Sequence, residues 1–393
     1  MHRRQVLQAA LLAAAFPWTA RFVGAAAPPA PAPAIRGSLV LVDLRGGNDG
    51  LNTLVPYRDP EYDRLRPTLA IARDRVLALD EDLGGAPALQ PLLPAWEAGD
   101  LAWILGVGYP NPNRSHFRSR EIWDTAAPDD SIREPGWIAR AFGSHGGGAA
   151  GRPDAVVLGG DDGPLRGGAL QVLSLQTPET FVREAARLSA PAPVAAPAEA
   201  LAHLLTVRGA VAETAREFER ALARLPAEPV AFPATPVGRQ LRQVARLLLA
   251  GLEIPVFKVE VGGFDTHVGQ GARHARLLGQ LAEALAAFRR TLRAAGQWDR
   301  VLVLSVSEFG RRVGENASQG TDHGAAAAQF ALGGRVKGGF YGEPPSLHDL
   351  DRGDLRYRVD FRRLYGEIAR VWWGQGDAGA ARLGTTEPGL GFR

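Results

Sequence analysis

From Ile35 onward, short apolar runs alternate with amphipathic stretches, the pattern of a mostly parallel sheet covered by helices on both faces. The runs predict strands over 38–44, 101–107, 155–158, 255–261, 301–307 and 329–332. Glycine-rich loop chemistry follows each of them. The clearest helix is predicted over 271–295, where His274, Leu278, Leu281, Leu285, Phe288 and Leu292 recur on one face. That stripe reads as core, His274 included. Residues 178–251 hold further helices, interrupted by the Ala/Pro segment 189–197, and are predicted to form an insertion or cap beside the sheet. No internal repeat is present, so residues 35–393 read as one α/β domain with a helical insertion.

Composition narrows the chemistry. The 393 residues contain no cysteine, which excludes thiolate zinc sites, iron–sulfur clusters, disulfides and cysteine nucleophiles. Any metal must be held by His, Asp, Glu or hydroxyl groups. An isoelectric point near 9.5 suggests a polyanion binder, yet the formal excess is only +3, and the three arginines of residues 1–27 account for it. Lys258 and Lys337 are the only lysines, so the high value reflects arginine in place of lysine. Nucleic acid is therefore not an expected partner.

The N-terminus places Arg3 and Arg4 directly before an apolar run, with a small-residue stretch at Gly24-Ala25-Ala26-Ala27. This predicts an export signal over 1–27, read as twin-arginine; a general secretory signal with an incidental Arg pair is the alternative. A Pro/Ala linker follows over 28–34. No later window holds 18 uninterrupted apolar residues, so no span is expected in the mature chain, which is placed in the periplasm or outside the cell.

Ligands of open α/β sheets bind at the carboxyl ends of the strands, and four predicted strands end in polar clusters. After the first comes Arg45-Gly46-Gly47-Asn48-Asp49-Gly50-Leu51-Asn52, where Asp49 offers a hard oxygen to a metal and a Gly/Asn/Asp turn is the alternative. After the second comes Asn111-Pro112-Asn113-Arg114-Ser115-His116-Phe117. Ser115 falls at the start of a short helix, where an alkoxide is favoured and ordinary capping is the alternative; Arg114 supplies a fork for a phosphate or sulfate. The third cluster is Gly263-Phe264-Asp265-Thr266-His267, an Asp/His pair suited to zinc or manganese. The fourth runs from Glu308-Phe309-Gly310-Arg311 to Gly320-Thr321-Asp322-His323-Gly324, again joining carboxylate to imidazole.

In this order the motifs, together with Asp360-Phe361-Arg362-Arg363-Leu364-Tyr365, resemble the exported bacterial family catalogued as domain of unknown function 1501, over about residues 35–375. That family looks like a branch of the alkaline phosphatase and sulfatase superfamily, which hydrolyses phosphate or sulfate esters on a mostly parallel sheet. The resemblance implies Asp49 as a metal ligand, Ser115 as the nucleophile position, Asp265 and His267 as a second ligand group, and His323 as a late ligand. Glu308 stands where the superfamily usually has an Asp-His pair, and Phe309 replaces the imidazole. Ser115-His116-Phe117-Arg118 does not supply the formylglycine setting of a sulfatase.

These readings give an expected exported, metal-dependent hydrolase of a small-molecule or polymeric phosphate or related ester. Ser115, His116 and Arg114 are its catalytic groups, and Asp49, Asp265, His267, Glu308, Asp322 and His323 its metal ligands. Zinc is the expected ion, with manganese, magnesium and calcium as alternatives. A metal-free serine esterase is the rival enzyme. A non-catalytic exported binding or assembly protein with a decayed site is the rival from another class.

Overall fold

The computed structural model describes residues 20–21, 37–127, 135–143, 152–188, 199–225 and 230–393. The predicted export signal and linker lie outside this set except for Ala20 and Arg21, which form a short edge strand. The sequence folds into strands β1 (Ser38–Leu44), β2 (Leu101–Gly108), β3 (Ala155–Val157), β4 (Val172–Ser174), β5 (Val256–Val261), β6 (Val301–Val306), β7 (Gly310–Arg311), β8 (His323–Gly324), β9 (Ala327–Gly333), β10 (Gly339–Tyr341) and β11 (Val359–Asp360). The helices that matter below are α1 (His116–Thr125), α2 (Pro178–Leu188), α3 (Glu199–Leu222), α4 (Pro236–Leu249), α5 (Gln270–Ala294) and α6 (Phe361–Glu367).

The main sheet runs β4-β3-β5-β1-β6-β9-β2-β10, with β11 also paired to β2. All its named strands point the same way except β9, which is antiparallel to both β6 and β2. The sequence locates this strand but does not reveal its direction. Reversal matters, because the start of β9 then lies on the same edge as the ends of β1, β2, β5 and β6.

The central strand explains why both faces are covered. Val40, Val42 and Leu44 of β1 enter one core with Leu278, Leu281, Leu285, Phe288 and Leu292 of α5 and with Leu241 and Val244 of α4. Leu39 and Leu41, pointing the other way, join Ile122 and Trp123 of α1 and Phe361, Leu364 and Tyr365 of α6. Strands β4, β10 and β11 went unpredicted because two or three residues are too few to display alternation. Within 178–251, α2 and α3 meet through Phe181 and Phe218, whose ring centroids are 5.5 Å apart. Helix α4 packs on α5 and β5 as part of the covering layer rather than as a cap. No helix among the described residues is long and apolar enough to cross a membrane.

His274 sits inside the α5 stripe with Nε2 2.9 Å from Asn48 Oδ1, anchoring the helix to the loop after β1. Burial pushes its pKa down to about 4. The unfolded chain therefore binds a proton that the folded chain refuses between pH 6.5 and 4. Stability from this group is complete above pH 6.5 and falls as the solution is acidified, by about 3 kcal/mol in all. Urea titrations of wild type and His274→Gln should show this as a difference between their pH slopes in that window.

Candidate metal centre

The carboxyl edge is crowded because glycines allow it to be. At Gly46, with φ +109°, a Cβ would stand 2.2 Å from the Asp265 nitrogen, so the loops after β1 and β5 touch only in the absence of a side chain. At Gly47 a Cβ would lie 2.4 Å from the Phe309 ring. Phe309 in turn stacks on His323, with centroids 4.2 Å apart, and so walls the cluster rather than serving it.

Arg311 pins these loops. Its fully buried guanidinium donates to the carbonyls of Gly46, Gly47, Phe264 and Thr321 and, at 2.7 Å, to Asp265 Oδ1. Burial pushes the Asp265 carboxyl up, but the bonds from Arg311 and His323 outweigh it and bring the pKa down to about 2. Asp265 is a fixed anion.

Three imidazoles face that anion. His116 Nε2 is 3.4 Å from Asp265 Oδ2, while His267 Nε2 and His323 Nε2 are 3.0 and 3.2 Å from Oδ1. The latter two nitrogens are 2.9 Å apart. The far side of each ring is also held: His116 Nδ1 by Glu308 Oε1 at 3.0 Å, His323 Nδ1 by the Arg114 carbonyl at 2.7 Å, and His267 Nδ1 near Asp322 Oδ1 at 3.4 Å.

His116 and His323 each meet an oxygen acceptor at Nδ1 and the Asp265 carboxylate at Nε2, so both nitrogens of each ring face oxygen. Three of these residues could hold a metal ion: single donor atoms of His116, Asp265 and His323 all lie within 4.8 Å of one another, while His267 stands beside His323. Glu308, Asp322 and the Arg114 carbonyl stand behind the rings, as outer partners of metal-binding histidines do. The hydrogen bond to Glu308 raises the His116 pKa, whereas burial lowers that of His323.

The remaining expected residues lie elsewhere or act differently. Asp49 does not join the cluster: its buried carboxylate caps the turn Gly50–Asn52, pairs with Arg66 Nη1 at 2.6 Å and accepts from Gln270. A Gly/Asn/Asp turn looks alike for a cap and for a ligand, and Arg66 settles which it is. Arg114 pairs its guanidinium with Asp354 at 2.5 Å, so the charge is engaged and its carbonyl serves His323. Ser115 occupies the N-cap position of α1, but its hydroxyl makes no capping bond. Its backbone nitrogen donates instead to Asn113 Oδ1 at 2.9 Å. Sequence reasoning missed Arg311 as the organiser, since nothing local separates it from its neighbour Arg312.

An α/β sheet with its polar loops gathered on the carboxyl edge is the class of protein these features define. Residues 174–368 match the family described as "Protein of unknown function (DUF1501)". No curated protein matches the sequence. Among solved structures, the chain is similar to the lipoteichoic acid synthase LtaP from Listeria monocytogenes, at 10% identity and TM-score 0.35 over 76% of this chain and 65% of that one. It is similar to a protein in the alkaline phosphatase superfamily from Vibrio parahaemolyticus, at 11% identity and TM-score 0.32 over 78% and 62%. A third is the phosphonate monoester hydrolase of Agrobacterium radiobacter, at 10% identity and TM-score 0.32 over 76% and 68%. The chain spans less than two thirds of the Listeria and Vibrio proteins. Likeness at this level says nothing about chemistry.

Replacing Asp49 by Ala strands the buried Arg66 charge, which should cost about 3–5 kcal/mol in urea unfolding. The folded fraction should keep the zinc content of wild type, measured by elemental analysis. Zinc lost without loss of stability would return Asp49 to the ligands.

Proposed function

We propose that the chain is a metal-dependent hydrolase of phosphate or related esters, with one zinc held by His116, His267, His323 and Asp265. The observation that carries the reading is the convergence of three imidazole nitrogens on one carboxylate. Imidazole-rich donor sets suit zinc, or manganese, better than magnesium or calcium. A divalent ion there supplies Lewis acidity, lowering the pKa of a nearby hydroxyl or water and neutralising oxyanion charge.

The chain's own groups fit around that role. Ser115 directly precedes His116 and sits at the N-terminus of the ten-residue α1, where the helix dipole favours a developing alkoxide. Its uncapped hydroxyl makes it the nucleophile position. His116 acts as a ligand whose Nδ1 proton is kept on Glu308, rather than as a free acid. Arg114 is replaced as anion clamp by Arg312, which is half-buried and has no carboxylate within ion-pair distance among the described residues. Its charge is felt by both Asp322 and Asp354. A metal-free serine esterase fits less well, because both ring nitrogens of His116 face carboxylates and leave no base for Ser115.

A binding protein without turnover is favoured by one observation: Asp49 is taken by Arg66 and Phe309 fills the place of an imidazole, which leaves a single centre. The paired Arg3-Arg4 segment supports export by the twin-arginine route to the periplasm or beyond.

Calorimetry on the purified chain should find one equivalent of zinc, and Asp265→Asn or His323→Ala should weaken it at least tenfold. Binding should fade as the pH falls through the range in which His116 takes up a proton, because ligands must be deprotonated. Ser115→Ala should abolish hydrolysis of p-nitrophenyl phosphate while the zinc stays. Turnover absent in wild type with zinc bound would select the binding protein; no zinc at all would end both readings.

A further inference from the structure

His267 and His323, whose Nε2 atoms lie 2.9 Å apart, come from segments separated by 56 residues of sequence. A buried side chain outside the cluster joins those segments. Gln270 is the first residue of α5, and nothing of it is exposed. Glutamine is usually a surface residue, and a buried amide is costly unless its polar atoms are answered. Here they are answered by named partners. Oε1 accepts from Thr266 Oγ1 at 2.9 Å and from Thr321 Oγ1 at 2.6 Å, while Nε2 donates to Asp49 Oδ2. Burial pushes the Asp49 carboxyl up, but Arg66 outweighs it, so the group stays ionised and can only accept. Asp49 thereby fixes which end of the amide faces the threonines.

Both threonines belong to the segments that carry the cluster. Thr266 lies between Asp265 and His267, and Thr321 stands two residues before His323. One acceptor atom therefore ties the two segments together, beside the bond from Thr321 N to the Thr266 carbonyl at 3.2 Å. The anchor is stiff. Helix α5 runs from Gln270 to Ala294 and buries Leu277, Leu278, Leu281 and Leu285 in the core. Its start is tied to the later segment through Gly269 N to the Ser318 carbonyl at 3.0 Å and Gln270 N to the Gln319 carbonyl at 2.8 Å. Arg311 also spans the two segments, but it bonds Asp265 directly and so enters the charge balance of the cluster. Gln270 is neutral, and none of its side-chain hydrogen bonds goes to the four proposed ligands.

We infer that Gln270 is a positioning residue of the metal centre, holding segments 265–267 and 321–323 at the separation that lets His267 and His323 bind one ion. This rests on the metal-centre reading and adds a residue that sets affinity from outside the ligand set. Changes to such outer partners alter metal affinity by about 10–100-fold.

Three variants of the full chain separate position from packing. Gln270→Met removes the amide at similar length, Thr321→Val removes the hydroxyl and keeps the shape, and Thr321→Ser keeps the hydroxyl and removes the methyl group. Zinc affinity is read by competition with a chelator, coordination geometry by the visible absorption of the cobalt-loaded chain, and stability by urea unfolding without metal. Gln270→Met should weaken zinc by at least about tenfold. Thr321→Val should weaken it by about fivefold. Both should still bind one equivalent at saturation and should shift the cobalt bands. Thr321→Ser should stay within about twofold of wild type, with unshifted bands, even where its urea midpoint falls. Unchanged affinity and bands in Gln270→Met and Thr321→Val, or equal losses in Thr321→Ser and Thr321→Val, would overturn the inference and leave the metal centre standing. A wild-type chain that binds neither zinc nor cobalt would overturn both. Should Gln270→Met fail to fold, the two Thr321 variants decide the matter alone.

Discussion

The guanidinium of Arg311 sits where the loops after β1 and β5 meet the segment before β8, and it binds a backbone or side-chain oxygen from each. A buried charge is costly unless surrounded by acceptors, and here four carbonyls and one carboxylate answer it. The consequence reaches the chemistry. Asp265 is held ionised and in place, three imidazoles are arrayed against it, and loops far apart in sequence share one corner of the molecule. Lysine could not do this, since a single ammonium lacks the planar fork that reaches several acceptors at once.

Sheet direction supplies the other half of the geometry. With β1, β2, β5 and β6 parallel, their carboxyl ends deliver Gly46, His116, Asp265 and Glu308 to one edge. The reversed β9 brings His323 there from the opposite end of its strand. Behind the cluster, α1 ties the edge to the second core through Ile122 and Trp123, so His116 is carried by a packed helix rather than a free loop.

Much of this was legible in the sequence. Strands β1, β2, β5 and β6 were readable because each buries both faces and so appears as an apolar run. That His267, Asp265 and His323 meet was readable because all three follow or precede strands whose ends share one edge of the sheet. Asp49 was misplaced because its partner Arg66 lies on a different segment and nothing local announces it. Arg114 was misplaced for the same reason, through Asp354. The role of Arg311 was hidden because it depends on carbonyls, which every residue has. Long-range pairing of charges, rather than local pattern, marks where sequence reasoning stops.

Diffraction from zinc-loaded crystals at the zinc absorption edge tests the central claim most directly. One anomalous peak within bonding distance of the Nε2 atoms of His116, His267 and His323 and of the Asp265 carboxylate is the predicted result. A stoichiometric zinc found elsewhere, or none at this cluster in crystals that hold it in excess, would contradict the account.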